Sequence, residues 1–446
     1  MKTLAFDSLP PFDESLTRDD ILGDLEVMTA GDHCFVRKTD FLALCSLKTG
    51  KVNWCVTRNA PDGNVDPSID VFSSLLFWGT RLWVGLKDQV VAEIFYDAPE
   101  SAKLVARCMR TGKVLWEYVH QRPPLEPWAE EKPAWPGAPQ EEAFVFLARS
   151  ENNLVLCLHR RTRCSGMSTS EFTVFDTPPF QCQTELYSFE PTSGALRWSK
   201  VQIGLRLNNL EWKNFKGLWG NDGQAGWLDL DSGVVCTIEK GGCCFGMPTL
   251  YGELGYFPWF DKKSKSIGYI RVNQHMEVDC DFSWNEKSVR NIRVWPTNSG
   301  VAIQVNDQKV IWTTADERVW EQRAKPYVYN VFATDDSDIF VATDGAGGRL
   351  LGFDRTDGNE TLNFRPVFCG LGDTNFFEEA QIAVASVAMK KSHWVPSQLL
   401  IFNTETKSMD FVSSCWNILG PWSRGVVFVS GEKDRRIAFL DLNALS

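Results

Sequence analysis

The chain turns on one stretch, Val105-Ala106-Arg107-Cys108-Met109-Arg110-Thr111-Gly112-Lys113-Val114-Leu115-Trp116. An alternating apolar run leads into a polar turn ending in glycine, and a second short run ends in tryptophan. Residues tolerant of positive φ between two period-two flanks specify a β-hairpin. The same order appears upstream at 41–54, with the turn Lys48-Thr49-Gly50-Lys51 before Trp54, and downstream at 186–198, with Thr192-Ser193-Gly194 before Trp198. Weaker copies turn at Asp231-Ser232-Gly233, Asn273-Gln274, Ala315-Asp316, Thr356-Asp357-Gly358 and Thr404-Glu405-Thr406, and a last copy occupies 437–443.

The later turns recur about every 40 residues, the size of one four-stranded propeller blade. Such a sheet cannot bury both faces alone, whereas stacking blades in a ring buries them. That need accounts for 18 Trp and 29 Phe as filler between blades. The expected fold class is all-β: a single β-propeller domain over 1–446, with about eight blades and a range of seven to nine. The turns near Asn273 and Asp316 are the weakest, which favours eight. The last copy stops where its final strand should begin, so Thr3-Leu4-Ala5-Phe6 is expected to supply that strand and close the ring.

This pattern resembles the quinoprotein-like (PQQ-type) β-propeller repeat, whose blades end in an Asp-x-x-Thr-Gly-Lys-x-x-Trp-like turn. The resemblance is sharp at 41–54, 105–116 and 186–198. The Asp of the pattern stands at Asp229, Asp354 and Asp441, and is replaced by Ser46, Glu190 and Asn403. Propellers of this kind serve as enzymes, assembly scaffolds and binding modules, so the resemblance implies a fold and leaves function open. Catalytic quinoprotein dehydrogenases carry a vicinal Cys-Cys pair beside the quinone and bind calcium. Cys243-Cys244 is such a pair, but no calcium-binding set accompanies it. Two small buried thiols on one strand, with no cofactor and no metal, is the expectation.

Charge and composition exclude other classes. Lys and Arg number 46 against 57 Asp and Glu, a net charge of −11. Nucleic-acid binding requires clustered cations on phosphate, so no nucleic-acid partner is expected. Apolar runs fall short of the ~18 residues a membrane helix needs. The N-terminal stretch has acidic residues at Asp13, Glu14, Asp19 and Asp20 and lacks a signal-like apolar run, which points to the cytoplasm. Thirteen scattered cysteines with no Cys-x-x-Cys fit buried free thiols in a reducing compartment, not structural zinc.

Catalytic motifs are weak. Asp344-Gly345-Ala346-Gly347-Gly348 leads into a strand, not a helix, so it reads as a hairpin loop and not a phosphate loop. Asp335, Asp336 and Asp338 read as solvated turn residues. The runs Arg160-Arg161-Thr162-Arg163 and Lys262-Lys263-Ser264-Lys265 read as exposed loop tips.

Two insertions break the repeat, at about 121–142 and 162–184. The first holds six of the 21 prolines, a density that excludes helix and ladder strand. Trp128, Glu130, Glu131 and Trp135 in the first, with Phe172, Phe175 and Phe180 in the second, are the candidate partner-binding residues: aromatic anchors with a polar rim are what binding hot spots look like. The expected function is a non-catalytic propeller, monomeric on its own, that binds a basic protein, either neutralising a toxin or enzyme or acting as a scaffold. The rival is an enzyme with its site in the central channel, a quinone-dependent oxidoreductase, hydrolase or lyase.

Overall fold

A computed structural model describes residues 2–5, 9, 25–38, 41–57, 82–98, 101–121, 140–148, 152–163, 182–203, 206–212, 215–219, 224–246, 248–261, 263–273, 275–286, 289, 291–297, 299–306, 308–314, 317–325, 327–333, 338–344, 348–365, 371–387, 398–413, 415–422, 424–430 and 436–442. These form nine antiparallel sheets, numbered here 1 to 9 in chain order, in two compact units.

The unit Ala60–Asn291 holds sheets 2 to 5. Sheet 2 is Leu82–Gly85, Val90–Ala98, Ser101–Cys108 and Val114–Gln121, and sheet 3 is Gln140–Ala148, Leu154–Arg163, Cys182–Phe189 and Leu196–Ile203. Sheets 4 (206–239) and 5 (243–285) follow. The first position of sheet 5 is split between Cys243–Phe245 and Thr249–Tyr251, both paired to Leu254–Asp261. The other unit, Met1–Asn59 with Ile292–Ser446, holds sheet 1 (26–57) and sheets 6 (292–323), 7 (327–364), 8 (371–413) and 9 (415–441). Lys2–Ala5 is the fourth strand of sheet 9, in register Lys2↔Asp441 to Ala5↔Ala438, one residue earlier than expected.

Within each unit, neighbouring sheets share apolar cores. Trp83, Ile94 and Leu104 of sheet 2 meet Leu154, Leu156 and Phe189 of sheet 3. Phe340 and Leu350 of sheet 7 meet Leu400 and Phe402 of sheet 8. Sheet 9 packs Val427 and Phe439 on Phe41 and Cys45 of sheet 1. Inner strands are therefore covered on both faces, and only one flank of each hairpin alternates. Phe41–Ser46 is buried over five successive residues, while the outer Val52–Thr57 alternates half-buried with exposed.

Nine sheets appear among the described residues where eight blades are expected. The two turns that look weakest both join real strands. Met276 N–H donates to Asn273 O at 3.0 Å between the last strands of sheet 5, and Thr314 N–H donates to Glu317 O at 2.9 Å in sheet 6. The first of these lacks the glycine signal because a non-glycine residue takes the left-handed conformation, Met276 at φ 62°; Lys407 at φ 56° does the same in sheet 8.

The flanks of both insertions are strand. Gln121, 140–142, 162–163 and 182–184 belong to sheets 2 and 3, and 122–139 and 164–181 lie outside the described residues. Arg160-Arg161-Thr162-Arg163, expected as a loop tip, is the end of Leu154–Arg163, paired by backbone to 140–143. Among the described residues no helix is long and apolar enough to cross a membrane.

Candidate functional site

The turns between third and fourth strands position the site. In several of them, the side chain of the residue closing the third strand accepts a turn amide, as Asn273 Oδ1 does from His275 N–H at 2.9 Å in sheet 5. Glu190 Oε2 takes Ser193 N–H at 2.6 Å, Asp229 Oδ1 takes Asp231 N–H at 2.8 Å, and Asp354 Oδ1 takes Thr356 N–H at 2.7 Å. Asn403 Oδ1 and Ser46 Oγ take Thr406 and Thr49 N–H at 2.8 and 3.3 Å. The Asp of the repeat is thus a turn cap that Glu, Asn or Ser replaces without altering the turn.

In two of the sharp copies and in the weaker copy that turns at Ala315-Asp316, the tryptophan after the turn docks on the next sheet. Trp116 Nε1–H donates to Pro191 O at 2.7 Å, Trp198 to Asp231 O at 2.9 Å and Trp320 to Arg355 O at 2.9 Å. Its ring lies on the turn glycine of that sheet: Trp116 on Gly194, Trp198 on Gly233 and Trp320 on Gly358, each glycine with φ near +72°. These indoles are directional clips between sheets as well as filler.

Turn and strand residues of sheets 2, 3 and 4 line a cleft of about 350 Å³: Lys87, Asp88, Asn152, Asn153, Glu190, Arg197 and Asp231. Lys87 and Asp88 come from the first hairpin of sheet 2, and Asn152 and Asn153 from the first hairpin of sheet 3. Asn153, fully buried, donates to Leu230 O at 3.1 Å and Asp231 Oδ1 at 3.2 Å. Asn152 Nδ2 donates to Asp231 Oδ2 at 2.9 Å. Arg197 is steered by Asn153 Oδ1 and by Asn152 O at 3.3 Å. Partial burial would raise the Glu190 carboxyl, but hydrogen bonds from Ser193 and Thr192 outweigh it and hold it at about 2. The cleft is therefore a charged recess in which hydrogen bonds hold Asn152, Asn153, Glu190, Arg197 and Asp231 in place.

A second cluster lies towards the other end of sheets 2 and 3, where both insertions leave the strands. Tyr187 donates its hydroxyl to Glu185 Oε2 at 3.0 Å, and His120 Nε2 sits 4.0 Å from the same oxygen. Tyr118 Oη lies 3.5 Å from His120 Nδ1. Burial first, then the Glu185 charge, raises the Tyr118 phenol above its ordinary range. Val201 stands opposite Glu185 in the ladder, and both it and Val119 are 53% exposed.

The sequence-predicted partner-binding residues, Trp128, Glu130, Glu131, Trp135, Phe172, Phe175 and Phe180, all lie outside the described residues. Cys243 and Cys244 are free thiols on one strand, but only Cys243 is buried in the core between sheets 4 and 5; Cys244 is half-buried, because successive side chains point to opposite faces. Asp338, expected as a solvated turn residue, bridges to Lys407 at 2.7 Å. Sequence spacing misses the cleft, since its residues come from five turns and strands of three sheets and carry no motif of their own.

No family model matches the chain, and no curated protein matches it. Solved structures do resemble it. The crystal structure of the eukaryotic initiation factor is 10% identical with a TM-score of 0.50, covering 90% of this chain and 90% of that one. BamB from Moraxella catarrhalis is 11% identical, TM-score 0.43, with 98% of each chain covered. Dihydro-heme d1 dehydrogenase NirN in complex with DHE is 10% identical, TM-score 0.45, over 92% of this chain and 76% of that one. At such identities likeness speaks for fold alone. Successive four-stranded antiparallel sheets stacked through shared cores mark the chain as an all-β protein of propeller type.

Proposed function

We propose that the chain is a non-catalytic cytoplasmic propeller that binds another protein through the insertion end of sheets 2 and 3. In this reading the nine sheets are the blades of one domain spanning 1–446, with Lys2–Ala5 as the closing strand. The observation that carries the binding role is the exposed apolar surface at the roots of both insertions. Val119 is two residues from Gln121, where the first insertion leaves, and Val201 faces the strand that begins at Cys182, where the second returns. Val119 and Val201 stand on the fourth strands of two successive sheets, and in this proposal they form part of one interaction surface. The partly exposed Tyr118, Tyr187 and Glu185 adjoin them, and Trp128, Trp135, Phe172, Phe175 and Phe180 extend the surface in this proposal, with Glu130 and Glu131 as its rim. The surplus of 11 acidic charges favours a basic partner by steering its approach. Neutralising a cationic toxin or enzyme is the specific form of that role.

The test is capture from native lysate with the wild type and with a Val119→Lys, Val201→Lys double variant. A basic protein that co-purifies with the wild type and is lost with the variant is expected. If nothing co-purifies, or deleting 122–139 and changing both valines leaves capture unaltered, the reading fails.

A further inference from the structure

Opposite charges share the cleft of sheets 2 to 4 without meeting. Among the described residues, Lys87 and Asp88 make no hydrogen bond or ion pair. Arg197 commits one terminal nitrogen to the Asn152 carbonyl and the Asn153 amide oxygen, and among the described residues no carboxylate pairs with it. Glu190 commits Oε2 to Thr192 and Ser193, leaving Oε1 open, and keeps its charge down to pH about 2. Asp231, in contrast, has both oxygens taken by Asn152 and Asn153. Among the described residues, two cations and two anions therefore open onto about 350 Å³, Lys87 and Asp88 from one turn of sheet 2 and Glu190 and Arg197 from the last hairpin of sheet 3.

We propose that this cleft binds a compact zwitterion, a molecule carrying an ammonium and a carboxylate, with Lys87 and Arg197 donating to the carboxylate and Asp88 and Glu190 accepting from the ammonium. A ligand with one charge would satisfy one pair and desolvate the other pair uncompensated, which is costly. A ligand with both charges satisfies all four groups. The volume lies at the small end of ligand sites, roughly 300–1,000 Å³, which suits an amino acid or one terminal residue. The described lining residues include no aromatic ring on which a base or sugar could stack. The Asn152–Asp231 and Asn153–Asp231 bonds fix sheet 3 against sheet 4, so little ordering remains to be done when the ligand enters.

Two sources share this chemistry: a free amino acid, and the C-terminal lysine of a peptide, which carries a side-chain ammonium and a terminal carboxylate on one residue. Calorimetric titration of the full chain distinguishes them. The probes are free L-lysine, L-lysine methyl ester, acetate, a short peptide ending in lysine, and the same peptide as its C-terminal amide. Saturable binding of L-lysine or of the acid peptide is expected, with the ester, acetate and amide each weaker by about tenfold or more. Lysine binding alone assigns a metabolite, and tighter binding of the acid peptide assigns a protein terminus. Lys87→Gln and Asp88→Asn, both at an open turn, should each weaken binding about tenfold while the melting temperature stays unchanged. No saturable binding by any probe, ester or amide binding as tightly as its acid, or full affinity in both variants overturns the proposal. Because the site lies away from the insertion end, loss of protein capture through Val119 and Val201 leaves it untouched.

Discussion

The indole of Trp198 lies against Gly233 of the following sheet, so close that a Cβ added to that glycine would fall 3.0 Å from the ring. Gly233 also has φ +72°, which L side chains adopt at a cost. Gly233→Ala should therefore combine backbone strain with displacement of the clip, for a loss of about 3 kcal/mol. Gly242 has φ +79° and nothing within 4 Å of its Cβ position, so Gly242→Ala should cost only about 1 kcal/mol. Urea unfolding of both variants checks the difference, and equal losses would mean that Trp198 contributes no packing there.

Glu190 makes stability depend on acid. Its carboxyl sits at about 2 in the fold against a reference of 4.5, a depressed value. The stabilisation is therefore complete above about pH 4.5 and disappears as pH falls towards 2. Because the group is partly exposed, its size is on the order of 1 kcal/mol. Glu190→Gln should lower stability at pH 7 and flatten its pH dependence across that window. Chemical denaturation at pH 3, 5 and 7 reads this directly.

Cys108 occupies the position in sheet 2 that Asp229 and Asp354 occupy in theirs. Hydrogen bonding from the Thr111 hydroxyl, opposed by slight burial and helped by the Arg110 and Thr111 amides, lowers its thiol below the ordinary range. Burial raises Cys243 and Cys280, and raises Cys45 to about 12. Thiol labelling near neutral pH should modify Cys108 before Cys243 and Cys280, with Cys45 reacting only on unfolding. Mass spectrometry of a labelling time course gives the order. Cys108→Asp should leave stability unchanged or raise it, since a carboxylate is the usual cap at this position.

Glu93 is fully buried and pairs with Arg107 at 3.0 Å, and Arg107 also donates to Gly112 O at 3.2 Å, tying the ion pair to the turn of the deciding hairpin. Glu93→Ala leaves Arg107 without its carboxylate and should cost about 3–5 kcal/mol. Replacing both residues with Met should cost much less, because no buried charge is stranded. Thermal melts of the single and double variants test this, and similar losses would show that the pair acts only through packing.

The hairpin at 105–116 and its copies carried much of the architecture, because turn chemistry and strand alternation are local properties. Nine turn candidates correspond to nine sheets among the described residues, and the turn near Asn273, one of the two weakest, closes without glycine because Met276 takes the left-handed conformation. The capping role of Ser46, Glu190 and Asn403 is equally local, and so is the pairing potential of 2–5 with the last strand. Local chemistry thus specifies the all-β class and the recurrence of the strand–turn–strand unit.

What meets across sheets was settled by tertiary structure. That Trp116 reaches Pro191, or that Asn153 reaches Asp231, depends on how successive sheets stack to bring together residues 75 or more positions apart, which no local pattern encodes. The burial of both faces of the inner strands has the same origin, and it removed the alternation expected at Phe41–Ser46. The cleft arises because rigid turns from three sheets converge on one recess. A propeller-type stack places residues with no shared motif side by side, and so its chemistry is written in the packing of the sheets, not in the spacing of the chain.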